Sequence, residues 1–262
     1  MKKEAKRTFQ INTWRLPAPV SAVIALVADL HNGDPAALLA ALGEIRPDLI
    51  AIAGDLMERR DGAEAGGGGA YGPWARAALG AAGALAAVAG LFAERHQDNE
   101  NAYAFLRGAA RLAPVYYALG NHELSFQAED RGRVAETGAV LLENRFVATH
   151  GLLLAGVPSR PRASFLRAFA AQPGYKVLLC HHPEYYEPLL RPLDIQLVLS
   201  GHAHGGQIRL GGQGLFAPGQ GFFPRYTAGL YEGRLLVSRG LRNNTCLPRV
   251  HNPLELVVLR LG

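Results

Sequence analysis

The chain has 262 residues, 49% hydrophobic and 19% charged, which excludes a disordered chain and allows one large core or two small ones. Its formal charge of +5 favours anionic partners such as phosphate esters or a lipid headgroup surface, but the basic residues are scattered with no long Lys/Arg run, so nucleic acid is not indicated. The two cysteines, Cys180 and Cys246, are far apart and exclude both a disulfide framework and a paired-cysteine zinc site.

The charged start, Met1 to Arg7, is not followed at once by an apolar segment, and the run from Val20 to Leu30 ends in Asp29 and His31, so no secretion signal is expected. Only Ala75 to Phe92 approaches the roughly 20 apolar residues of a membrane span. Its Arg76 and its glycines favour a core helix or a mobile insert. The expectation is a cytoplasmic protein, with membrane association left open and the oligomeric state undetermined.

Ser21 to Ala28 is a continuous apolar run, as for a strand buried on both faces, and it ends at Asp29-Leu30-His31. Asp34 as N-cap and Pro35 at the first helical position open a helix from Ala36 to Ile45, which Arg46-Pro47 stops. Leu49 to Ala53 is a second strand ending at Gly54-Asp55. From Asp61 to Asn99 the pattern degrades around Gly66 to Gly69, and a Gly/Ala-rich insertion is placed at about 62–98. A helix is predicted from Asn101 to Leu112, closed by Pro114. A strand from Val115 to Leu119 then runs into Gly120-Asn121-His122-Glu123.

A short helix follows at Ala128 to Glu136, then strands at 140–142 and Leu152 to Val157, and a helix at Ser164 to Ala171. Val177 to Cys180 is a strand ending at His181-His182-Pro183. Ile195 to Leu199 is another, ending at Gly201-His202-Ala203-His204-Gly205-Gly206, a run too rich in glycine for helix or regular strand. Gly211 to Gly221 is a glycine-rich loop without a Walker pattern, more suited to walling a cleft. Strands are predicted at 225–231, 234–238 and 254–259.

One grammar recurs. Five apolar strands end in ligand-type residues: Asp29 and His31, Asp55, Asn121 and His122, His181, and His202 with His204. Ligands of α/β folds bind beyond the carboxyl ends of the strands, and histidine is the commonest metal ligand, so five such ends point to a metal site. The remaining histidines, His96, His150 and His251, have no partner in sequence and read as surface or core residues, and Cys180 as packing.

These motifs resemble those of the calcineurin-like metallophosphoesterase superfamily: D-x-H, G-D, G-N-H-[DE], a later H and G-H-x-H, all present in order from about Val23 to Gly206. The runs Gly205-Gly206-Gln207-Ile208, Ala217-Pro218-Gly219-Gln220-Gly221 and Ser238-Arg239-Gly240 are similar to a bacterial group of predicted phosphohydrolases, several of them membrane-anchored or exported. This chain departs from that group in lacking an amino-terminal membrane segment and in carrying the insertion.

The resemblance implies one α/β domain over 1–262, a four-layer αββα sandwich of two mixed sheets flanked by helices. It implies a centre of two divalent ions (Mn, Fe, Zn or Co, a choice the mixed N/O donors leave open). One ion is held by Asp29, His31, Asp55 and His204, the other by Asp55, Asn121, His181 and His202, with Asp55 bridging and a bridging water attacking phosphorus in line. His122 then stabilises the transition state or protonates the leaving oxygen. The family commonly carries an Asp where Glu58 stands, orienting that histidine; the carboxylate is kept with a longer reach. Arg59 is a candidate for binding substrate phosphate, and His182 for lining the cleft.

The implied activity is hydrolysis of a small phosphorylated substrate, a phosphodiester or a pyrophosphate rather than a phosphoprotein. Two alternatives remain: a peripheral membrane phosphoesterase on phospholipid-like substrates, touching the bilayer with 75–92, and a non-catalytic metal- or phosphate-binding scaffold, against which the complete ligand set argues.

Overall fold

A computed structural model describes residues 8–58, 98–243, 245 and 247–262. The strands in chain order are β1 (Gln10–Leu16), β2 (Ala22–Val27), β3 (Leu49–Ala53), β4 (Val115–Ala118), β5 (Val140–Leu141), β6 (Arg145–Thr149), β7 (Leu152–Val157), β8 (Tyr175–Cys180) and β9 (Leu197–Ser200). Four two-residue strands follow, β10 (Arg209–Leu210), β11 (Gln213–Gly214), β12 (Phe216–Ala217) and β13 (Gly221–Phe222), then β14 (Gly229–Tyr231), β15 (Leu235–Val237) and β16 (Glu255–Leu261). The helices are α1 (Ala36–Ile45), α2 (Glu100–Ala109), α3 (Ala128–Glu136) and α4 (Ala163–Ala170).

Two six-stranded mixed sheets result, ordered β1-β16-β2-β3-β4-β5 and β14-β15-β9-β8-β7-β6. Strand alternation builds the layers. In β2, Ala25 and Val27 face outward onto Leu38 and Leu42 of α1 and Phe105 and Leu106 of α2. Ile24 and Leu26 face inward and pack against Leu154, Val177, Leu179 and Leu199 of the other sheet. The outer face of that second sheet, through Leu178 and Val198, packs on Leu166 and Phe169 of α4 and on Tyr186 and Leu190. The order is helix, sheet, sheet, helix, as expected. Fully burying one such aliphatic side chain contributes about 1.5–3 kcal/mol.

Parallel register brings the strand ends into line. Val27 pairs with Ile52, Ala53 with Ala118, and Leu179 with Leu199. The loops after β2, β3, β4, β8 and β9 therefore open at one edge of the sandwich, where the site lies.

The structure corrects several sequence readings. β1 and β6 were not expected. The glycine-rich run is two small antiparallel hairpins, β10–β11 and β12–β13. The strand predicted at 225–231 is confined to β14, because the Tyr226 N–H donates to Gln220 Oε1 and the Thr227 N–H to Tyr231 Oη instead of to a neighbouring strand. α1 starts at Ala36 with Pro35 as its flanking residue, and Asp34 caps from one position further out, its Oδ1 accepting the Ala36 N–H at 2.9 Å. Arg59, His96, Cys246, the segment 75–92 and, Asp98 apart, the insertion at 62–98 lie outside the described residues. Among the described residues no helix is long and apolar enough to cross a membrane.

Candidate metal centre

Three of the five strand ends, those after β2, β3 and β9, deliver their residues through a sharp backbone turn. Asp29, His31, Asn32, Asp55, His202 and His204 all have φ between +46° and +65°, the left-handed region that non-glycine residues rarely occupy. Concentrated at one edge of two sheets, such conformations mark a functional site more than a folding need. The loops lock together: the His31 N–H donates to Asp55 O at 3.0 Å and the Asp29 N–H to Gly54 O at 3.2 Å.

Asp55 is the centre of the group. Its Oδ1 accepts the His122 N–H at 2.9 Å. Its Oδ2 lies 3.2 Å from His181 Nε2, 3.8 Å from His122 Nε2 and 4.0 Å from His31 Nε2. Burial alone would raise its pKa, but His181, His122 and His31 hold it well below the usual carboxylate range. Gly120 makes room for it: a Cβ there would stand 2.2 Å from Asp55 Oδ1 and 2.5 Å from its amide nitrogen.

His181 donates through Nδ1 to Ala53 O at 2.7 Å, which fixes the ring and aims Nε2 at Asp55 and at Asn121 Oδ1, 3.1 Å away. Burial would lower its pKa, but Asp55 pushes it up to about 10. Asp29 accepts the His202 N–H and lies 3.6 Å from His204 Nε2. Burial, with His182 and His181 adding, holds His202 well below the normal imidazole value, and burial brings His204 down to about 4 against the pull of Asp29.

The sequence-predicted residues thus converge. Asp29, His31 and His204 form one group able to hold an ion, and Asp55, His181 and His202 another, with Asn121 beside the second. The donor set fits divalent transition ions. The separations of 3.6 Å (His204 to Asp29) and 4.0 Å (His31 to Asp55) are too long for hydrogen bonds. Ligands each roughly 2.1 Å from one ion stand about 3–3.5 Å apart.

Around this core are two carboxylate–histidine pairs. The longer reach of Glu58 suffices: His122 Nδ1 donates to its Oε2 at 2.9 Å, and its Oε1 lies 3.3 Å from His31 Nδ1. His182 Nδ1 donates to Glu184 Oε1 at 3.0 Å, and the same oxygen lies 3.6 Å from His202 Nε2. His182 sits beside the second group, its ring 4.3 Å from that of His202. Cys180 is buried, packs in the core with Leu178 and Val198, and burial pushes its thiol up to about 12.

Sequence reasoning missed the supports. Glu184 stands two residues after His182, in reach of no local pattern. Glu123 was visible only as the last letter of a motif; it is buried and accepts N–H groups from Gly120, Asp55 and Met57 at 2.6, 3.0 and 3.0 Å. Arg249 Nη2 donates to His204 Nδ1 at 3.0 Å and Asn252 Nδ2 to His204 O at 2.7 Å, across more than 40 residues. Burial brings Arg249 down to about 10, against the pull of Asp29.

A family model described as calcineurin-like phosphoesterase matches residues 22–206. Two curated relatives come from Bacillus subtilis (strain 168). One is named uncharacterized metallophosphoesterase YkoQ, 28% identical over 138 residues, covering 47% of this chain and 51% of the relative. The other is named uncharacterized protein YpbG, 46% identical over 44 residues, 17% of each chain. The chain thus matches about half or less of the length of these relatives. Among solved structures, TT1561 of Thermus thermophilus has a TM-score of 0.43 at 16% identity, covering 69% of this chain and 81% of that one. A metallophosphoesterase from Sphaerobacter thermophilus has 0.31 at 16%, covering 70% and 61%. At TM-scores below 0.5 these two likenesses add nothing to the fold already described.

Proposed function

The chain belongs to the calcineurin-like phosphoesterase family of metal-dependent phosphoric ester hydrolases, and on that premise we propose that it cleaves a phosphodiester or pyrophosphate linkage at a centre of two divalent ions. The observation that carries this reading is the position of Asp55, whose Oδ2 lies 3.2 Å from His181 Nε2 and 4.0 Å from His31 Nε2, one histidine from each of the two groups. One carboxylate so placed can serve two ions. Asp29, His31, Asp55 and His204 would hold the first and Asp55, Asn121, His181 and His202 the second, and the N/O donor set suits Mn, Fe, Zn or Co.

When bound, the ions lower the pKa of a water and neutralise charge on the phosphoryl oxygens. The chain's own residues do the rest. His122 is oriented through Nδ1 by Glu58, and its partly exposed ring stands over the Asp55 carboxylate. From there it donates a hydrogen bond to a phosphoryl oxygen or a proton to the leaving oxygen. His182, held by Glu184 beside His202, lines the substrate cleft. Arg59, next to Glu58 in sequence, is read as a phosphate ligand. The whole chain acts as one metallophosphoesterase domain. A diester or pyrophosphate is preferred to a phosphoprotein on the resemblance to bacterial phosphohydrolases.

The test is turnover of a bis-aryl phosphodiester and of the matching monoester by protein stripped of metal and reloaded with Mn. Faster diester cleavage is expected. A monoester preference overturns the substrate class, and no turnover of either ester with any of the four metals favours the scaffold alternative.

The peripheral membrane reading has one observation in its favour: Leu210, Phe222 and Phe223 are 63%, 56% and 72% exposed on the hairpins beside the site. Co-sedimentation with anionic phospholipid vesicles is expected on that reading, and its absence removes it.

A further inference from the structure

Beyond the ligand set lies a pocket of about 500 Å³ lined by Arg209, Leu210, Gly211, Gly212, Arg239 and His251, basic groups and small or apolar residues with no carboxylate among them. Three features bear on what this pocket can take. First, Arg239 is under-partnered. Among the described residues its Nε has no hydrogen-bond partner, and the nearest carboxylate oxygen, Glu255 Oε2, stands 3.8 Å away. Glu255 is already engaged by the Arg239 N–H at 2.7 Å and by Asn12 Nδ2. The Arg239 side chain is 25% exposed and its nearest carboxylate partner is shared, so its guanidinium keeps donors for an incoming anion.

Second, the cations are held against one another. Arg209 is fixed by donating to Gly205 O at 2.8 Å and Thr227 Oγ1 at 3.0 Å, both neutral acceptors. Burial lowers its pKa, and the charge of Arg239 lowers it further. Third, neighbours of the lining residues touch the metal centre. Gly205 follows His204; Gly240, next to Arg239, packs against Asp29; and Arg249 donates both to Arg239 O at 2.8 Å and to His204 Nδ1. Of the lining residues, Arg239 is thus linked to the donors Asp29 and His204 through Gly240 and Arg249.

We infer that this pocket binds a second phosphoryl group of the substrate, so that the preferred substrates carry a phosphoryl group beyond the one that is attacked. Guanidinium forks match phosphoryl oxygens in geometry, and His251 adds a further donor at the rim. The inference rests on the phosphoester reading and narrows it toward pyrophosphate-linked diesters.

The test uses the metal-loaded protein and its Arg239→Gln and His251→Gln variants, the second at an exposed position where folding is not at risk. Turnover of a pyrophosphate-linked diester is compared with that of a bis-aryl phosphodiester. Calorimetric titration with inorganic phosphate counts the anions bound. Arg239→Gln is expected to lower the preference for the pyrophosphate-linked substrate about tenfold or more, through KM, and to bind one phosphate fewer than wild type. His251→Gln is expected to lower that preference in the same direction by less. An unchanged preference in both variants with equal phosphate stoichiometry overturns the inference. A lost phosphate with unchanged preference also overturns it, leaving a free-anion site. If wild type turns over neither ester, the hydrolase reading fails; an equal phosphate count in wild type and Arg239→Gln then overturns the anion site as well.

Discussion

Glu58 places Oε2 2.9 Å from His122 Nδ1 and Oε1 3.3 Å from His31 Nδ1, so one carboxylate orients an imidazole at the open side of the site and another at its buried side. Burial would raise Glu58, but the hydrogen bonds with His122 and His31 hold it well below the usual carboxylate range. Glu58→Gln is expected to lower kcat by about 10–100-fold with both ions retained. Glu58→Asp is expected to keep part of the rate. Steady-state kinetics with metal analysis checks both, and a lost ion with unchanged kcat per loaded site would reverse the assignment.

Gly120→Ala drives a Cβ into Asp55, whose Oδ1 and backbone nitrogen leave no room for it. Overpacking of this kind costs about 1–3 kcal/mol. A fall in Tm together with a loss of metal affinity of about tenfold or more is expected. Scanning calorimetry and metal titration read the two, and a normal metal affinity would show that Asp55 is not the element being displaced.

Glu123 ties the loop after β3 to its own loop after β4 by accepting three backbone N–H groups. Burial and the neighbouring Asp55 charge raise its pKa. In Glu123→Gln, either amide orientation sets an NH₂ against at least one of those donors. The expected cost is about 1–3 kcal/mol in urea unfolding. An unchanged urea midpoint would remove Glu123 from the set of structural ties.

Far from the site, Lys176 Nζ donates to Asp194 Oδ2 at 2.9 Å, and that hydrogen bond and the Lys176 charge pull Asp194 below its ordinary value. A depressed carboxyl pKa contributes stability that is present above the unfolded value of about 3.9 and is lost as pH falls through the lower folded value. Asp194→Asn is therefore expected to flatten part of the acid limb of stability against pH and to leave the curve above neutrality parallel to wild type. Urea midpoints between pH 3 and 7 decide it, and identical acid limbs would refute the linkage.

The core strands were legible because they are buried on both faces: β2, β3 and β8 read as continuous apolar runs, and a ligand-type residue directly after each was visible without structure. β1 was not legible, since Asn12 and Arg15 break its apolar pattern and its partner β16 lies at the other end of the chain. The two hairpins of 209–222 were hidden because glycine supplies the turns while each strand is only two residues long. Within the site, residues carried by motifs could be named in advance. Arg249 and Asn252 could not, because they reach His204 through contacts that only the fold creates, and Glu184, although two residues from His182, reaches His202 only in the fold.

The proposed bridging role of Asp55 is most directly tested by counting ions. Purified protein reloaded with Mn is predicted to hold two ions per chain, and Asp55→Asn to hold at most one, with phosphodiester turnover lost alongside. Two ions retained in the variant, or a single ion in the wild type, would contradict a centre in which Asp55 joins the two groups.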